Sequence, residues 1–174
     1  MLCTDVREVP LSRGYVALID AADWPLVSQH RWYSEIKDRT KYARTTRFSG
    51  QNRIYVYMHR LIVGEPAGLQ VDHRDGNGLN NRRSNLRVAT GSQNQMNKGA
   101  MPNSTSPFKG VSWNSNAGKW AAVIRKNRKN YYLGLFVDEA KAARRYDDAA
   151  RVMFGEFARL NFSEPEPRKQ AVLF

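Results

Sequence analysis

The chain has 174 residues, of which 28 are lysine or arginine and 16 are aspartate or glutamate, so its formal net charge is +12. The isoelectric point of about 10.1 favours a polyanionic partner, with nucleic acid as the leading candidate. The single cysteine, Cys3, excludes an intramolecular disulfide and a multi-cysteine zinc cluster. There is no apolar run of the roughly 20 residues that a membrane helix needs and no secretory signal, so we expect a cytoplasmic protein.

Short apolar and aromatic runs predict several strands in the first 64 residues. The run GYVALID (residues 14–20) predicts a strand, and residues 22–32 predict a short helix whose start Pro25 restricts. Two further runs alternate in part between aromatic or β-branched and polar residues, which predicts a hairpin closed near residues 49–52. The segment MHRLIVG after this hairpin is compatible with a helix.

An asparagine-rich block, VDHRDGNGLNNRRSNLRVATGSQNQMN, covers residues 71–97. Ser84 is one candidate helix N-cap, and Thr90 or Ser92 is a second. Three of the asparagines fit turn positions, because asparagine tolerates left-handed backbone and bonds to nearby main chain. These are Asn77, Asn80 and Asn81.

Asp72, His73 and Asn94 carry side chains suited to phosphodiester hydrolysis. This reaction needs a base for water, a cation for the phosphate and stabilisation of the leaving oxygen. A histidine with an ordinary pKa near 6.5 can be that base at neutral pH. A carboxylate and an amide oxygen suit a hard ion such as Mg²⁺.

The order Asp-His, DGN, NLR and a final asparagine resembles the HNH motif of phage and intron-encoded homing endonucleases, in its H-N-N form. The resemblance implies a ββα core around one divalent ion, Mg²⁺ or Mn²⁺, in a phage-infected or bacterial cell. It makes Asp72 and Asn94 the metal ligands, with Asn97 an alternative to Asn94, and it makes His73 the general base. Asn85 becomes the middle asparagine, which holds the loop and orients the histidine.

Other polar residues near the motif have less specific roles. Next to a scissile phosphate, three arginines are candidate clamps of the DNA backbone: Arg82, Arg83 and Arg87. We expect His59 to be structural and His30 to pack beside Trp32.

Residues 99–107 are small, polar and uncharged, with two prolines, which predicts a linker. Three strand-like runs follow, and then a helix that Asp138 opens and Gly155 ends. One face of this helix is mostly alanine, which would let it lie close against a sheet. Residues 163–174 are predicted to be a tail.

Residues 108–162 resemble the Apetala-two/ethylene-response-factor DNA-binding domain, through GV, GKWAAVIR, YLGLF, EAKAARRYDDAA and LNF. The resemblance implies a three-stranded sheet that packs on one helix and enters the major groove of DNA. The residues assigned to the DNA-binding face are Lys109, Trp113, Lys119, Arg125 and Tyr132. Val123 replaces the family's usual Glu, and the arginine-rich run after GV is missing, so the family's target sequence is not transferred.

The sequence therefore predicts an α+β protein with a nuclease domain at residues 1–98 and a core at about 65–98. A linker, a DNA-binding domain at 108–162 and the tail complete the chain. We expect it to cut double-stranded DNA without an obligate protein partner, as a monomer that nicks or a homodimer that breaks both strands. The rival hypotheses are a non-catalytic DNA-binding regulator and a nuclease acting on RNA.

Overall fold

The structure is a computed structural model that describes residues 5–37 and 40–162. The predicted tail at residues 163–174 lies outside these residues. The described residues form two compact units, with the division between residues 97 and 98. Small antiparallel sheets and a few helices make up both units, so the predicted α+β class is confirmed. Within the described residues, every helix is too short or too polar to cross a membrane.

Two antiparallel sheets form the start of the first unit. The predicted strand at residues 14–20 is β2, which pairs with β1, and the predicted hairpin is closed where Ser49 pairs with Asn52. The expected short helix follows β2, with Pro25 in its first turn. The elements are β1 Val6–Pro10, β2 Val16–Asp20, α1 Trp24–Val27, β3 Tyr33–Lys37, β4 Thr40–Ser49 and β5 Asn52–Tyr57.

A two-stranded sheet between short helices completes this unit. Thr90 caps the last helix, since its side chain accepts from the Gln93 N–H while the Gln93 side chain accepts from the Thr90 N–H. Ser84, the other predicted cap, lies instead in the turn before a strand. The elements are α2 Met58–Ile62, β6 Gln70–His73, β7 Leu86–Ala89 and α3 Gly91–Met96.

The core of the first unit fixes the β6–β7 sheet. Ile19, Val27 and Met58 are fully buried, and Val71 of β6 and Leu86 of β7 belong to the same apolar cluster. Burying side chains of this size stabilises the fold by about 1.5–3 kcal/mol each. The polar ends of β6 and β7 are therefore held by the core beneath them.

In its described part, residues 98–162, the second unit has one antiparallel sheet packed on one long helix, as its sequence predicts. The sheet has the order β10-β9-β8, with β8 Val111–Asn114, β9 Lys119–Lys126 and β10 Lys129–Phe136. The helix, α4, spans Glu139–Phe154, and the Asp138 side chain caps it by accepting from the Lys141 N–H. Gly155 ends it with a φ of 54°, which favours glycine.

Small residues bring α4 close to the sheet. Ala142, Ala143 and Ala150 are 0% exposed, so the predicted alanine face is buried. Gly110 is required nearby, because a Cβ there would overlap the Tyr146 ring. Asp147, also buried in α4, accepts hydrogen bonds from the N–H groups of Asn161 and Phe162 and so closes the unit.

Candidate functional site

The predicted Asp-His pair forms the last two residues of β6. Both residues are buried, at 5% exposed. Asp72 stands opposite Arg87 in the β6–β7 register, and Asp72 Oδ2 accepts from Arg87 Nε at 2.8 Å and Nη2 at 2.7 Å. Two charged donors on one oxygen hold the carboxylate in position and balance its charge.

This pairing corrects the expected role of Arg87. The sequence predicts a clamp on the DNA backbone, but Arg87 is 8% exposed and its guanidinium is directed at Asp72. A buried charge is stable only when it is paired, so Arg87 serves as the ion-pair partner of Asp72 and is not available to a DNA phosphate. The strand alternation could not reveal this, because the β6–β7 register was unknown from sequence.

His73 is oriented by Asn81, which the sequence grouped with the turn residues. Asn81 is 0% exposed, and its Oδ1 lies 3.3 Å from His73 Nε2. The Asn81 Nδ2 donates to the Leu79 carbonyl, which fixes Oδ1 as the end of the amide that faces the ring. An acceptor beside Nε2 selects the tautomer with the proton on Nε2, so the basic lone pair lies on Nδ1.

Aromatic rings surround the imidazole. The His59 ring centroid lies 4.9 Å and the Tyr42 ring centroid 6.0 Å from that of His73. Burial lowers the pKa of His73, although its bond to Asn81 and the nearby Asp75 and Asp72 carboxylates act in the opposite direction. The ring is therefore neutral at pH 7, which is the form that can accept a proton.

His59, which the sequence predicts to be structural, lies in this cluster. Burial, with the neighbouring His73 and Arg60, lowers the pKa of His59 to about 3. Its ring stacks on Tyr57 with centroids 5.5 Å apart. Its Nδ1 is buried with no hydrogen-bond partner among the residues that the structure describes. The predicted packing of His30 against Trp32 is present as an edge-on contact at 5.7 Å.

Asn85 braces the loop that joins the two strands. Its Oδ1 accepts from the Asp75 N–H, while its Nδ2 donates to Asp75 Oδ1 and to the Asn80 carbonyl. Burial acts to raise the pKa of Asp75, but hydrogen bonds from the Asn77 N–H and from the Asn80 and Asn85 side chains lower it overall. Holding the loop is the role that the resemblance implies for Asn85, whereas the contact with the histidine ring comes from Asn81.

The two candidate amides on and after α3 have different partners. Asn97 is 7% exposed, and its Nδ2 donates to Asp72 Oδ1 at 3.0 Å and to the His73 carbonyl at 2.8 Å. Asn94 donates to Gln70 Oε1 at 2.6 Å. Gln70 and Asp72 are two residues apart on β6, so their side chains project from the same face. Asn97 is thus in contact with the Asp-His pair, and Asn94 lies beside it.

The other two predicted clamps also have protein partners. The Arg83 guanidinium donates to both carboxylate oxygens of Asp23, with Nη2 at 2.6 Å, and the Arg83 N–H donates to Asp20. Arg82 donates from Nε to Asn80 Oδ1 at 2.9 Å. Arg83 therefore ties the loop to the first sheet, and Arg82 extends the loop's own bonding.

In the second unit, the β-sheet register separates the predicted DNA-binding residues. Lys119, Arg125 and Tyr132 are exposed on the sheet face that points away from α4. Trp113 pairs with Trp120, whose ring packs on the helix side of the sheet, and the two rings meet edge-on at 5.1 Å. The register therefore places Trp113 on the opposite face from the other three, because cross-strand partners share a face.

Lys109 lies at the edge of this sheet. Its N–H donates to the Asn161 side chain, and its carbonyl accepts from the same amide. Burial and the nearby Arg159 lower the pKa of the Lys109 ammonium to about 8. Lys109 is thus a partly buried lysine with a structural main chain, unlike the open positions of Lys119 and Arg125.

Comparison with known proteins identifies related sequences. Residues 56–96 match the family model described as HNH endonuclease. The chain is 34% identical over 151 residues to an uncharacterized HNH endonuclease of Acanthamoeba polyphaga mimivirus, covering 86% of this chain and 76% of that protein. It is 35% identical over 66 residues to protein 3.8 of Escherichia phage T7, covering 38% of this chain and 54% of the phage protein.

The C-terminal region has separate relatives, with Apetala-two/ethylene-response-factor-like homology. A dehydration-responsive element-binding protein 2A of Oryza sativa is 43% identical over 72 residues, which is 38% of this chain and 25% of the rice protein. No solved structure matches the chain. The mimivirus relative shares most of its length with this chain, and the chain belongs to the HNH endonuclease family.

Proposed function

We propose that the chain is a metal-dependent homing-type endonuclease that hydrolyses phosphodiester bonds at a selected site in double-stranded DNA. The observation that carries this proposal is the buried Asp72–His73 pair, in which Arg87 holds the carboxylate and Asn81 holds the neutral imidazole. Family membership alone leaves open whether this chain has kept its catalytic groups. The paired contacts supply the physical reason to assign activity to it.

In this proposal His73 is the general base. Its Nε2–H is held by Asn81 Oδ1, so Nδ1 accepts the proton from the attacking water. The lowered pKa of His73 keeps the ring unprotonated at neutral pH. A positioned base of this kind contributes roughly 10²–10⁴-fold to the rate of a reaction.

The donor atoms beside His73 fit one hard divalent ion. Among the described residues there is no cluster of three or more His, Cys, Asp or Glu side chains, so Asp72 would be joined by neutral amide oxygens and by substrate oxygens. Asp72 Oδ2 is bonded to the guanidinium, whereas Oδ1 accepts a neutral amide N–H from Asn97 and has no ion pair with the residues that the structure describes. When bound, Mg²⁺ or Mn²⁺ would supply a Lewis acid for the phosphate and the leaving oxygen.

We assign the second ligand to Asn94 and a bracing role to Asn97. Asn97 already uses its Nδ2 on two acceptors, Asp72 Oδ1 and the His73 carbonyl, and it is buried. The Asn94 side chain is less buried, and among the described residues it bonds to the exposed Gln70 amide. Its oxygen can therefore turn toward an ion on the substrate side of Asp72 at the cost of one exposed hydrogen bond.

We assign target binding to the outward face of the β8–β9–β10 sheet. Lys119 and Arg125 supply charge for DNA phosphates, and Tyr132, which is 62% exposed, supplies an aromatic surface beside them. The likeness to plant DNA-binding proteins supports this assignment. Trp113 is left out of this face because it lies on the helix side.

A supercoiled-plasmid assay with Mg²⁺ or Mn²⁺ tests the nuclease. We expect nicked or linear product from the unmodified chain and at least a hundred-fold slower cleavage by His73→Ala. A DNA-binding regulator without catalysis would bind the plasmid and leave it intact. Faster cleavage of single-stranded RNA than of duplex DNA would instead make it a ribonuclease.

Target binding is tested with full-length variants in a duplex gel-shift series over salt concentration. Removing two phosphate contacts should lower the slope of log K against log salt by about 2, so we expect this from the double variant Lys119→Ala/Arg125→Ala. Lys141→Ala is the matched control, because Lys141 is an exposed lysine of α4. Equal slopes for both variants would reject the assignment.

A further inference from the structure

One face of the β3–β4–β5 sheet carries aromatic and arginine side chains that the core does not use. Strand alternation and register bring these side chains to the same side. We call this set the aromatic–arginine face. Its members are Tyr33, Tyr42, Arg44, Phe48, Arg53, Tyr55 and Tyr57.

Three of these rings are open to solvent. Phe48 is 69% exposed, Tyr55 48% and Tyr33 39%. The opposite face of the same sheet contributes to the core, with Ala43 0% and Val56 6% exposed. An exposed group of large aromatic rings, next to a face that is already packed, marks a surface for a partner.

A cation accompanies each exposed ring. The Arg44 guanidinium lies 4.1 Å from the Tyr55 ring centroid, and the Arg53 guanidinium lies 6.0 Å from that of Phe48. The Arg31 guanidinium lies 5.7 Å from the Tyr33 ring centroid. Rings beside arginines suit a polyanion whose repeating unit has both a flat apolar group and a phosphate.

The acidic group of this face is already engaged. Glu35 pairs with Arg44 at 3.2 Å and accepts a hydrogen bond from the Tyr57 hydroxyl. Burial and this hydrogen bond raise the pKa of Tyr57 to about 12, so its hydroxyl stays neutral. Among the residues that the structure describes on this face, the charge left without an ion-pair partner is therefore positive, from Arg53.

The aromatic–arginine face continues into the candidate active site. The Tyr57 ring stacks on His59, and the His59 ring centroid lies 4.9 Å from that of His73. Tyr42 bridges the same groups, with ring centroids 6.1 Å from Tyr57 and 6.0 Å from His73. A strand lying along the exposed rings would thus lead toward the general base.

From these contacts we infer that the aromatic–arginine face binds a single-stranded DNA segment next to the scissile bond, with bases stacked on Tyr33, Phe48 and Tyr55. Bases in a duplex are already stacked on one another, so open rings on a flat sheet favour unpaired bases. This inference rests on the proposed nuclease function. Beyond that function, the inference is that the enzyme binds locally unpaired DNA next to His73.

The test measures fluorescence anisotropy of the full-length protein in EDTA, so that no cleavage interferes. One probe is an oligothymidylate of about 12 nucleotides, and the second is an abasic oligomer of equal length and charge. Tyr55→Ala should weaken binding of the first about five-fold or more and leave binding of the second unchanged. Ile54→Ala is the matched control, because Ile54 and Tyr55 are each 48% exposed on opposite faces of β5.

Further variants keep the test decisive if Tyr55→Ala fails to fold. Tyr55→Leu and Phe48→Leu retain apolar surface but lack the ring, and they should also lose selectivity for the oligomer with bases. Equal affinity of the unmodified chain for both oligomers, or equal losses for Ile54 and Tyr55 variants, would overturn the inference. Tighter binding of oligouridylate than of oligothymidylate would overturn the assignment to DNA. The assay does not depend on cleavage, so its failure is distinct from failure of the nuclease proposal.

Discussion

The Asn81 side-chain oxygen lies 3.3 Å from His73 Nε2, and the other end of the same amide is tied to the Leu79 carbonyl. Asn81 thereby acts on the imidazole without needing to touch substrate, and it is a positioning residue in the proposed mechanism. We predict that Asn81→Ala lowers kcat about 10–100-fold, because the ring loses the partner that selects its tautomer.

The measurement is the pH profile of plasmid cleavage at saturating divalent ion. Asn81→Asp places a carboxylate at Nε2, so the acidic limb of that variant should move to higher pH than in the unmodified chain. Asn77→Ala is the control within the same loop, since Asn77 is exposed and its side chain accepts from the Leu79 N–H. Unchanged kcat and an unchanged acidic limb in both Asn81 variants would rule out the positioning role.

The two amides near α3 are separated by metal titration. We predict that Asn94→Ala raises the Mg²⁺ concentration for half-maximal cleavage by roughly ten-fold or more, whereas Asn97→Ala lowers the rate at saturating Mg²⁺. The reason is that Asn94 is the proposed ligand, and Asn97 holds Asp72 and the His73 main chain. The reverse pattern would make Asn97 the ligand and Asn94 a neighbour of Gln70.

Residue types and local spacing were sufficient for several features of the fold. The Thr90 cap, the helix between Asp138 and Gly155, and the strand β2 follow from short-range chemistry that the sequence records directly. The position of Asp72 and His73 at a strand end also follows from an apolar residue, Val71, beside polar turn residues. Each of these depends on neighbours within a few positions.

The partners of the site residues depend on long-range register, which the sequence does not encode locally. Asn80 and Asn81 look alike in sequence and both are buried, but the Asn81 side chain contacts the His73 ring, whereas the Asn80 side chain bonds to Asp75 and Arg82. Arg87 and Trp113 looked available for DNA until strand pairing placed them opposite Asp72 and Trp120. His59 enters the site because α2 lies against β4, and no motif marks that contact.

The Arg87–Asp72 pair should be costly to break. We predict that Arg87→Leu lowers the free energy of unfolding by about 3–5 kcal/mol, because it leaves a buried carboxylate without its cation. The double variant Arg87→Leu/Asp72→Asn should recover part of this loss. Arg47→Leu serves as the control, since Arg47 pairs with Glu65 at 3.6 Å with both side chains more than 40% exposed, where a pair contributes about 0–1 kcal/mol.

Urea unfolding followed by fluorescence measures these energies. If Arg87→Leu and Arg47→Leu lose the same stability, the buried pair does not hold the site together. A double variant less stable than Arg87→Leu would show that Asp72 is stabilised by groups other than Arg87.

The buried His59 makes the free energy of unfolding depend on pH. Its pKa is lowered to about 3 in the folded chain from the ordinary 6.5, so the unfolded chain binds the proton first. The contribution of neutral His59 to the free energy of unfolding is therefore fully present above pH 6.5. It decreases as the pH falls toward 3, by at most about 1.4 kcal/mol per pH unit. We predict that the free energy of unfolding of His59→Phe decreases less between about pH 7 and pH 5 than that of the unmodified chain. Urea unfolding of both proteins at about pH 7, 6 and 5 measures this difference. The same slope in the variant and the unmodified chain would show that other groups carry the acid sensitivity.

In the second unit, neighbouring aspartates should differ sharply in effect. Asp147 is 1% exposed and accepts from the Asn161 and Phe162 N–H groups at 2.8 and 3.0 Å, while the Asp148 side chain is 67% exposed beside Arg151. We predict that Asp147→Asn costs about 1.5–3 kcal/mol, because an amide can accept at only one end and turns its NH₂ toward the other N–H. Asp148→Asn should change stability by less than about 0.5 kcal/mol.

Hydrogen exchange at the Asn161 and Phe162 amides measures the loss locally, and equal protection in the two variants would mean that Asp147 does not hold residues 161 and 162 against α4. Asp147 of α4 holds Asn161, and the Asn161 side chain in turn bonds to the main chain of Lys109. We therefore expect affinity for duplex DNA to fall with Asp147→Asn and to stay unchanged with Asp148→Asn.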